Sequence, residues 1–169
     1  MQIIKYLGLF LVIVSSSLIG RFLSKKYIYR VEELEDIKNA LNIFKSKIKF
    51  TYEPIPEIFE QISKNTSKNV SKIFKVAIEN MKKDNANIAW EKAIEETETN
   101  LKKEDKNILK TLSKLLGQTD SEGQISQIEL TQNFLDKQIR EAIESKTKNE
   151  KLYSKLGITI GLAIAIILV

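Results

Sequence analysis

Leu34-Glu35-Asp36-Ile37-Lys38-Asn39-Ala40-Leu41-Asn42-Ile43-Phe44-Lys45-Ser46-Lys47-Ile48 is the stretch on which the fold turns. Its apolar residues Leu34, Ile37, Leu41, Phe44 and Ile48 recur at intervals of three, four, three and four. That spacing holds them on one side of an α-helix, as the seam of a helix packed lengthwise on a neighbour. A strand would need alternation, and the chain offers none. The helix spans about Lys25 to Lys49 and, with no breaker upstream, continues the apolar segment before it. Tyr52-Glu53-Pro54-Ile55-Pro56 ends it, because a residue preceding proline avoids the α region. Pro56 then opens a second helix with Glu57 in its first turn.

Short amphipathic helices follow. Ile58, Phe59 and Ile62 mark one, closed by the polar stretch 64–68. Val70, Ile73, Phe74, Ala77, Ile78 and Met81 mark the next, closed by Asp84-Asn85. Ala89, Trp90, Ala93 and Ile94 make a third, with Trp90 as a core anchor. Ile108, Leu109, Leu112, Leu115 and Leu116 make a fourth, which Gly117 is suited to cap. Beyond it, Thr119 with Glu122 and Ser121 with Gln124 form two overlapping capping boxes. The long helix they start buries Ile125, Ile128, Leu135, Ile139, Ala142 and Ile143 and meets no breaker before the C-terminal apolar segment. The expected fold is all-α, an antiparallel helical bundle between an N-terminal and a C-terminal membrane helix.

Both ends of the chain are apolar. No ionisable group except the Tyr6 phenol occurs from Tyr6 to Gly20, and none occurs in the side chains from Leu156 to Val169. Residues 1–23 read as a transmembrane helix, 24–155 as a cytoplasmic bundle and 156–169 as a second membrane segment. A cleavable signal peptide is the rival for the first, with Lys5, the apolar run Leu7 to Val14 and Ser15-Ser16-Ser17 in order. Leu18 and Ile19 carry the apolar run past the serines and favour the span. For the second segment, which is short for a span, the rival is a buried core helix. Gly157 and Gly161 give it a small-residue pair for close helix packing.

Charge and composition narrow the function. Residues 24–155 hold 25 Lys or Arg against 22 Asp or Glu, too even a balance to capture nucleic acid. The chain has no Cys and no His, which removes disulfides, thiol and imidazole catalysis and the commonest zinc ligands. Glu32, Glu33, Glu35, Asp36, Glu95, Glu96 and Glu98 alternate with lysines and read as solvated faces, not as a metal or acid-base site. No phosphate loop follows either Gly117 or Gly123. No catalytic, cofactor or metal residue is expected. Lys25, Lys26 and Arg30 follow the first apolar segment, and Lys146, Lys148, Lys151 and Lys155 precede the second. The outer flanks carry only Lys5 and the terminal amine. That asymmetry orients the bundle toward the cytoplasm, although flanking lysines would also serve simply to hold lipid headgroups.

Five segments together are familiar. They are Leu34 to Ile48, Tyr52-Glu53-Pro54-Ile55-Pro56-Glu57, Ala89-Trp90-Glu91, the run Leu116 to Gln124, and the tail Asn149 to Gly157. With the apolar start they resemble, over essentially the whole length, the stage III sporulation protein AB family. Its soluble part is similar to the cytoplasmic domain of type II secretion and type IV pilus platform proteins. The resemblance implies a non-enzymatic platform on the mother-cell membrane around the forespore. It would anchor a secretion-type ATPase, stage III sporulation protein AA, beneath a channel built with other subunits. Such platforms usually carry two of these domains, and this chain has one, so homo-oligomerisation is an expectation too. The partner-binding edge is expected at Glu53, Pro54, Pro56, Glu57 and Glu60, with a solvated face as the plain alternative. A membrane-bound helical sensor or regulator is the competing function, though no output domain or phosphorylation site is recognisable.

Overall fold

The structure is a computed structural model that describes the backbone of residues 2–51 and 53–168 and the side chains of 7–51 and 53–167. Among the described residues it contains six α-helices and no strand: α1 (Gln2–Phe50), α2 (Ile55–Lys64), α3 (Lys68–Met81), α4 (Ala86–Glu96), α5 (Lys103–Thr111) and α6 (Ser121–Leu168), with a 3-10 turn at Leu112–Lys114. The all-α expectation holds. So does the unbroken passage of the apolar start into the charged helix, since α1 has no interruption. Tyr52, the first residue of the expected turn, lies outside the described residues. The chain divides into two compact units, Arg30–Arg140 and Met1–Tyr29 with Glu141–Val169.

In the unit Arg30–Arg140, the seam Leu34, Ile37, Leu41, Phe44 and Ile48 is buried. An aromatic ring from each of four helices closes the centre: Phe44 of α1, Phe59 of α2, Phe74 of α3 and Trp90 of α4. Neighbouring centroids lie 5.0 to 5.5 Å apart in edge-on or tilted arrangements. Such pairs add about 0.5–1.5 kcal/mol each beyond the area they bury. Trp90 is 1% exposed, and its indole N–H donates to the Leu109 carbonyl at 2.8 Å, so its polar edge is satisfied inside the core. Within this unit α1 and α6 run antiparallel. Lys38 meets Asp136, the Gln132 amide donates to Asn42 Oδ1 at 2.8 Å, and Lys45 reaches Glu129.

The α6 stripe differs from the reading of its apolar residues. Ile128, Leu135 and Ala142 are buried as expected, but Ile143 is exposed, and Thr131 and Gln132 take buried places. Thr131 sits three after Ile128 and four before Leu135, so the three-four rhythm runs through a hydroxyl that donates to the Gln127 carbonyl. The start of α6 is also corrected. Neither capping box forms; Asp120 is the cap, its carboxylate accepting from Gly123 N–H at 2.9 Å and its carbonyl from Gln124 N–H at 3.1 Å. Gly117 does take the left-handed conformation, with φ +69°, that a closing glycine supplies.

In the other unit the start of α1 packs antiparallel on the end of α6 at backbone distance. A methyl built on Gly157 would lie 2.8 Å from the Ser16 carbonyl, and one on Gly161 would lie 3.0 Å from Ile13 Cα. One on Gly20 would strike the Tyr153 carbonyl. The Ser16 hydroxyl donates to the Gly157 carbonyl at 2.6 Å, and the Tyr27 and Tyr153 rings stack at 6.1 Å. Toward the two chain ends the surface is apolar: Leu7, Phe10, Leu18, Phe22, Ile158, Leu162, Ile166 and Ile167 are all exposed. The C-terminal segment is therefore not a buried core helix. Near its N-terminus, α1 has a window of mean hydropathy 1.9, and it is the one helix among the described residues long and apolar enough to cross a membrane.

Candidate partner-binding edge

Pro54 caps α2 in the extended region (φ −60°, ψ 144°), and its carbonyl accepts from the Glu57 and Ile58 amides at 3.0 and 3.2 Å. Proline contributes no donor here and its φ suits the entry, so the chain turns out of α1 without losing a bond. Pro54, Pro56, Glu57 and Glu60 are exposed around this start, and Glu53 is half-buried.

The three carboxylates of the edge are not alike. Glu53 accepts from the Lys47 ammonium at 3.0 Å and the Gln61 amide at 2.5 Å. The Lys47 hydrogen bond is the main reason its carboxyl is held below the usual range. Glu60 pairs with Lys64 at 2.7 Å and is lowered for the same kind of reason. Glu57 pairs with no lysine among the described residues. The edge thus presents one unpaired carboxylate between two that carry their own cations, a weaker acidic surface than three free glutamates would make.

Two neighbours of the edge are not placed there by the sequence reading, which takes Gly117 only as a helix cap. Phe50, the last residue of α1, is 71% exposed and borders a shallow hollow with Asn42, Ile43, Ser46 and Lys47. Its signal was its register: it falls outside the three-four seam that ends at Ile48. Gly117 is the second. A methyl on it would lie 3.3 Å from Ala86 Cβ and 3.6 Å from Ile55 Cδ1, which brings the Gly117 turn against the starts of α4 and α2.

Elsewhere in this unit, two charges read as surface or membrane flank are interior. Arg30 is 4% exposed; its Nε and Nη2 donate to the Asp105 carboxylate at 2.7 and 2.8 Å, and Nη2 also reaches Gln138 Oε1 at 3.1 Å. Arg30 is therefore corrected from a lipid-flanking charge to a buried partner. Glu33 is corrected from a solvated face to a buried acceptor. It takes the Asn69 amide at 2.7 Å and the Asn100 backbone and side-chain N–H groups at 2.8 and 2.7 Å. These carboxylates are saturated by donors, and their chemistry is that of a clasp on the segment 97–105. Among the described residues no group of three or more His, Cys, Asp or Glu side chains is arranged to hold a metal ion.

Comparison with known proteins agrees with this architecture. The chain is 27% identical over 169 residues to stage III sporulation protein AB of Bacillus subtilis (strain 168), covering 98% of this chain and 99% of that one. A solved structure of stage III sporulation protein AB has the same fold, with a TM-score of 0.65 at 24% identity over 70% of this chain and 97% of its own. The family profile for stage III sporulation protein AB matches residues 5–169, and the chain belongs to that family of sporulation proteins.

Proposed function

We propose that the chain is a non-enzymatic platform of a sporulation channel resembling a type II secretion system. Residues 1–23 and 156–169 enter the mother-cell membrane around the forespore. Residues 24–155 face the mother-cell cytoplasm and anchor a secretion-type ATPase, stage III sporulation protein AA, alongside other channel subunits and a further copy of the chain. The observation that carries this reading is a contrast between the two compact units. The unit Arg30–Arg140 buries most of its large apolar side chains, with Phe50, Ile88, Leu130 and Phe134 as exposed exceptions, and the unit made from the two ends of the chain turns Leu7, Phe10, Phe22, Ile166 and Ile167 outward. A water-exposed surface of that kind is costly, and in lipid it is the stable one.

The α2 edge, with Glu53, Pro54, Pro56, Glu57 and Glu60, is the proposed ATPase contact. The full-length chain in lipid nanodiscs should bind the purified ATPase, and reversing Glu53, Glu57 and Glu60 to Lys should slow association and weaken binding while the chain stays folded, with a small loss of melting temperature from the broken Lys47 and Lys64 pairs. A folded triple variant that binds like the parent at low and moderate salt removes the edge from the interface. A parent that fails to bind in either condition sinks the platform reading.

A further inference from the structure

In the unit made from the two ends of the chain, α1 and α6 leave between them an apolar groove of about 490 Å3. Leu11, Ser15, Ile19 and Leu23 form one wall, and Leu156, Ile160 and Ile164 form the other. Gly20 and Gly157 lie in its floor, already in backbone contact with the opposite helix. The groove therefore offers mainly branched side chains. Another membrane helix would need small residues to approach closely, and the glycines here are used up by the hairpin itself. A flexible hydrocarbon chain needs no such seam.

Two basic residues extend the groove's own face beyond its Leu23 and Tyr153 end. Lys26 stands three residues past Leu23 and seven past Ile19, and Lys146 stands seven before Tyr153 and eleven before Gly157. Those intervals repeat the helix face. Lys26 lies over the Tyr27 ring at 5.1 Å, and Tyr27 stacks on Tyr153, which lines the groove. Neither Lys26 nor Lys146 has a carboxylate partner among the described residues. Glu150 borders a different hollow, with Arg21, Ser24 and Lys25. Hydrocarbon walls leading to an aromatic ledge and two unpaired ammonium groups match one class of ligand.

We infer that this groove holds an acyl chain of an anionic phospholipid, with the headgroup phosphate on Lys26 and Lys146. The inference rests on the membrane reading of residues 1–23 and 156–169. It makes lipid identity, not only the bilayer, part of how the protein is held. Juxtamembrane lysines attract anionic headgroups, and the groove fixes where that attraction acts.

Native mass spectrometry of the full-length chain in detergent, titrated with phosphatidylglycerol or phosphatidylcholine, tests it. The parent should retain one phosphatidylglycerol at least about tenfold more tightly than phosphatidylcholine. Lys26→Ala with Lys146→Ala should abolish that preference, and Lys25→Ala with Lys151→Ala, which removes the same charge from other faces, should keep it. Ile160→Trp should reduce retention of both lipids. Equal binding of the two lipids, equal loss in both lysine pairs, or a second protein chain in place of the lipid overturns the inference. Carbonate extraction of the parent separates the two readings. A chain released into solution defeats the membrane reading, whereas one that stays in the membrane without lipid preference defeats this inference alone.

Discussion

Arg30 and Asp105 form a two-pronged ion pair inside the bundle, with Nε and Nη2 at 2.7 and 2.8 Å from the two carboxylate oxygens. Asp105 is 0% exposed and also accepts from the Lys102 backbone N–H at 2.8 Å, so one carboxylate both caps α5 and neutralises α1. Removing one partner strands the other charge away from water. Asp105→Ala should destabilise the unit by about 3–5 kcal/mol in urea unfolding. The double change Arg30→Met with Asp105→Leu should cost much less, leaving roughly 1 kcal/mol for the lost cap. If the single and double variants cost the same, the pair is not what the charges contribute.

Trp90 makes a second test, because its ring touches two of the other three aromatics and its N–H is internally bonded. Trp90→Ala should cost about 3–5 kcal/mol by the same unfolding measurement. Trp90→Phe keeps most of the packing, and the Leu109 carbonyl still accepts from the Leu112 backbone N–H, so its cost should fall nearer 0.5–1.5 kcal/mol, roughly that of one hydrogen bond.

The unit built from the chain ends responds to size, not charge. Gly157→Leu would push a side chain into the Ser16 carbonyl and Ser17 backbone. Overpacking of this kind costs roughly 1–3 kcal/mol and should lower the melting temperature of the full chain in detergent. Gly8→Leu, where no other helix or neighbouring side chain lies within 4 Å of the added carbon, is the control and should not lower melting.

Acid dependence follows from two exposed carboxylates and the half-buried Glu53. Glu53, Glu60 and Glu95 are held below the ordinary value of 4.5 chiefly by hydrogen bonds from Lys47, Lys64 and Lys110. A folded-state carboxyl lowered in this way contributes stability above the unfolded value and loses it as pH falls through the folded one. Changing all three to Gln should therefore lower the melting temperature slightly at neutral pH. The gap should close as the pH is taken well below about 4.5. A gap that widens in acid would reverse the assignment.

Orientation is open to a direct probe because the chain has no cysteine. Gln118→Cys should resist a membrane-impermeant thiol reagent in intact cells and react once the cells are permeabilised. Labelling without permeabilisation contradicts the cytoplasmic placement.

Much of this fold could be read from the chain because its determinants are local. The Leu34 to Ile48 seam, the cores of α2 to α4 and the left-handed turn at Gly117 are each set by spacings or residue types within a few positions. Arg30, Glu33 and Asp105 were opaque for the opposite reason. Nothing in their local sequence sets them apart from the solvated charges around them, and their distant partners stand 36 to 108 residues away. The Thr119-Asp120-Ser121 run put three capping residues in a row, and only the path of the incoming chain selects Asp120. The candidate edge was legible as a turn and as charges. Its charge balance was not, since Lys47 belongs to the preceding helix and reaches Glu53 across the turn.

The antiparallel contact of α1 with α6 within Arg30–Arg140 joins residues as far apart as Arg30 and Gln138, 108 positions along the chain. Translation proceeds at about 5–20 residues per second, so roughly 5–20 seconds separate the emergence of the two halves of that contact from the ribosome. During that interval α2, α3 and α4 can settle on α1 through short-range contacts while the flank reserved for Ile128 and Leu135 stays uncovered. The order of synthesis thus makes α6 the closing piece of this unit, and the nascent unit is most vulnerable to chaperones, proteases and its own siblings just before Ile128 and Leu135 arrive.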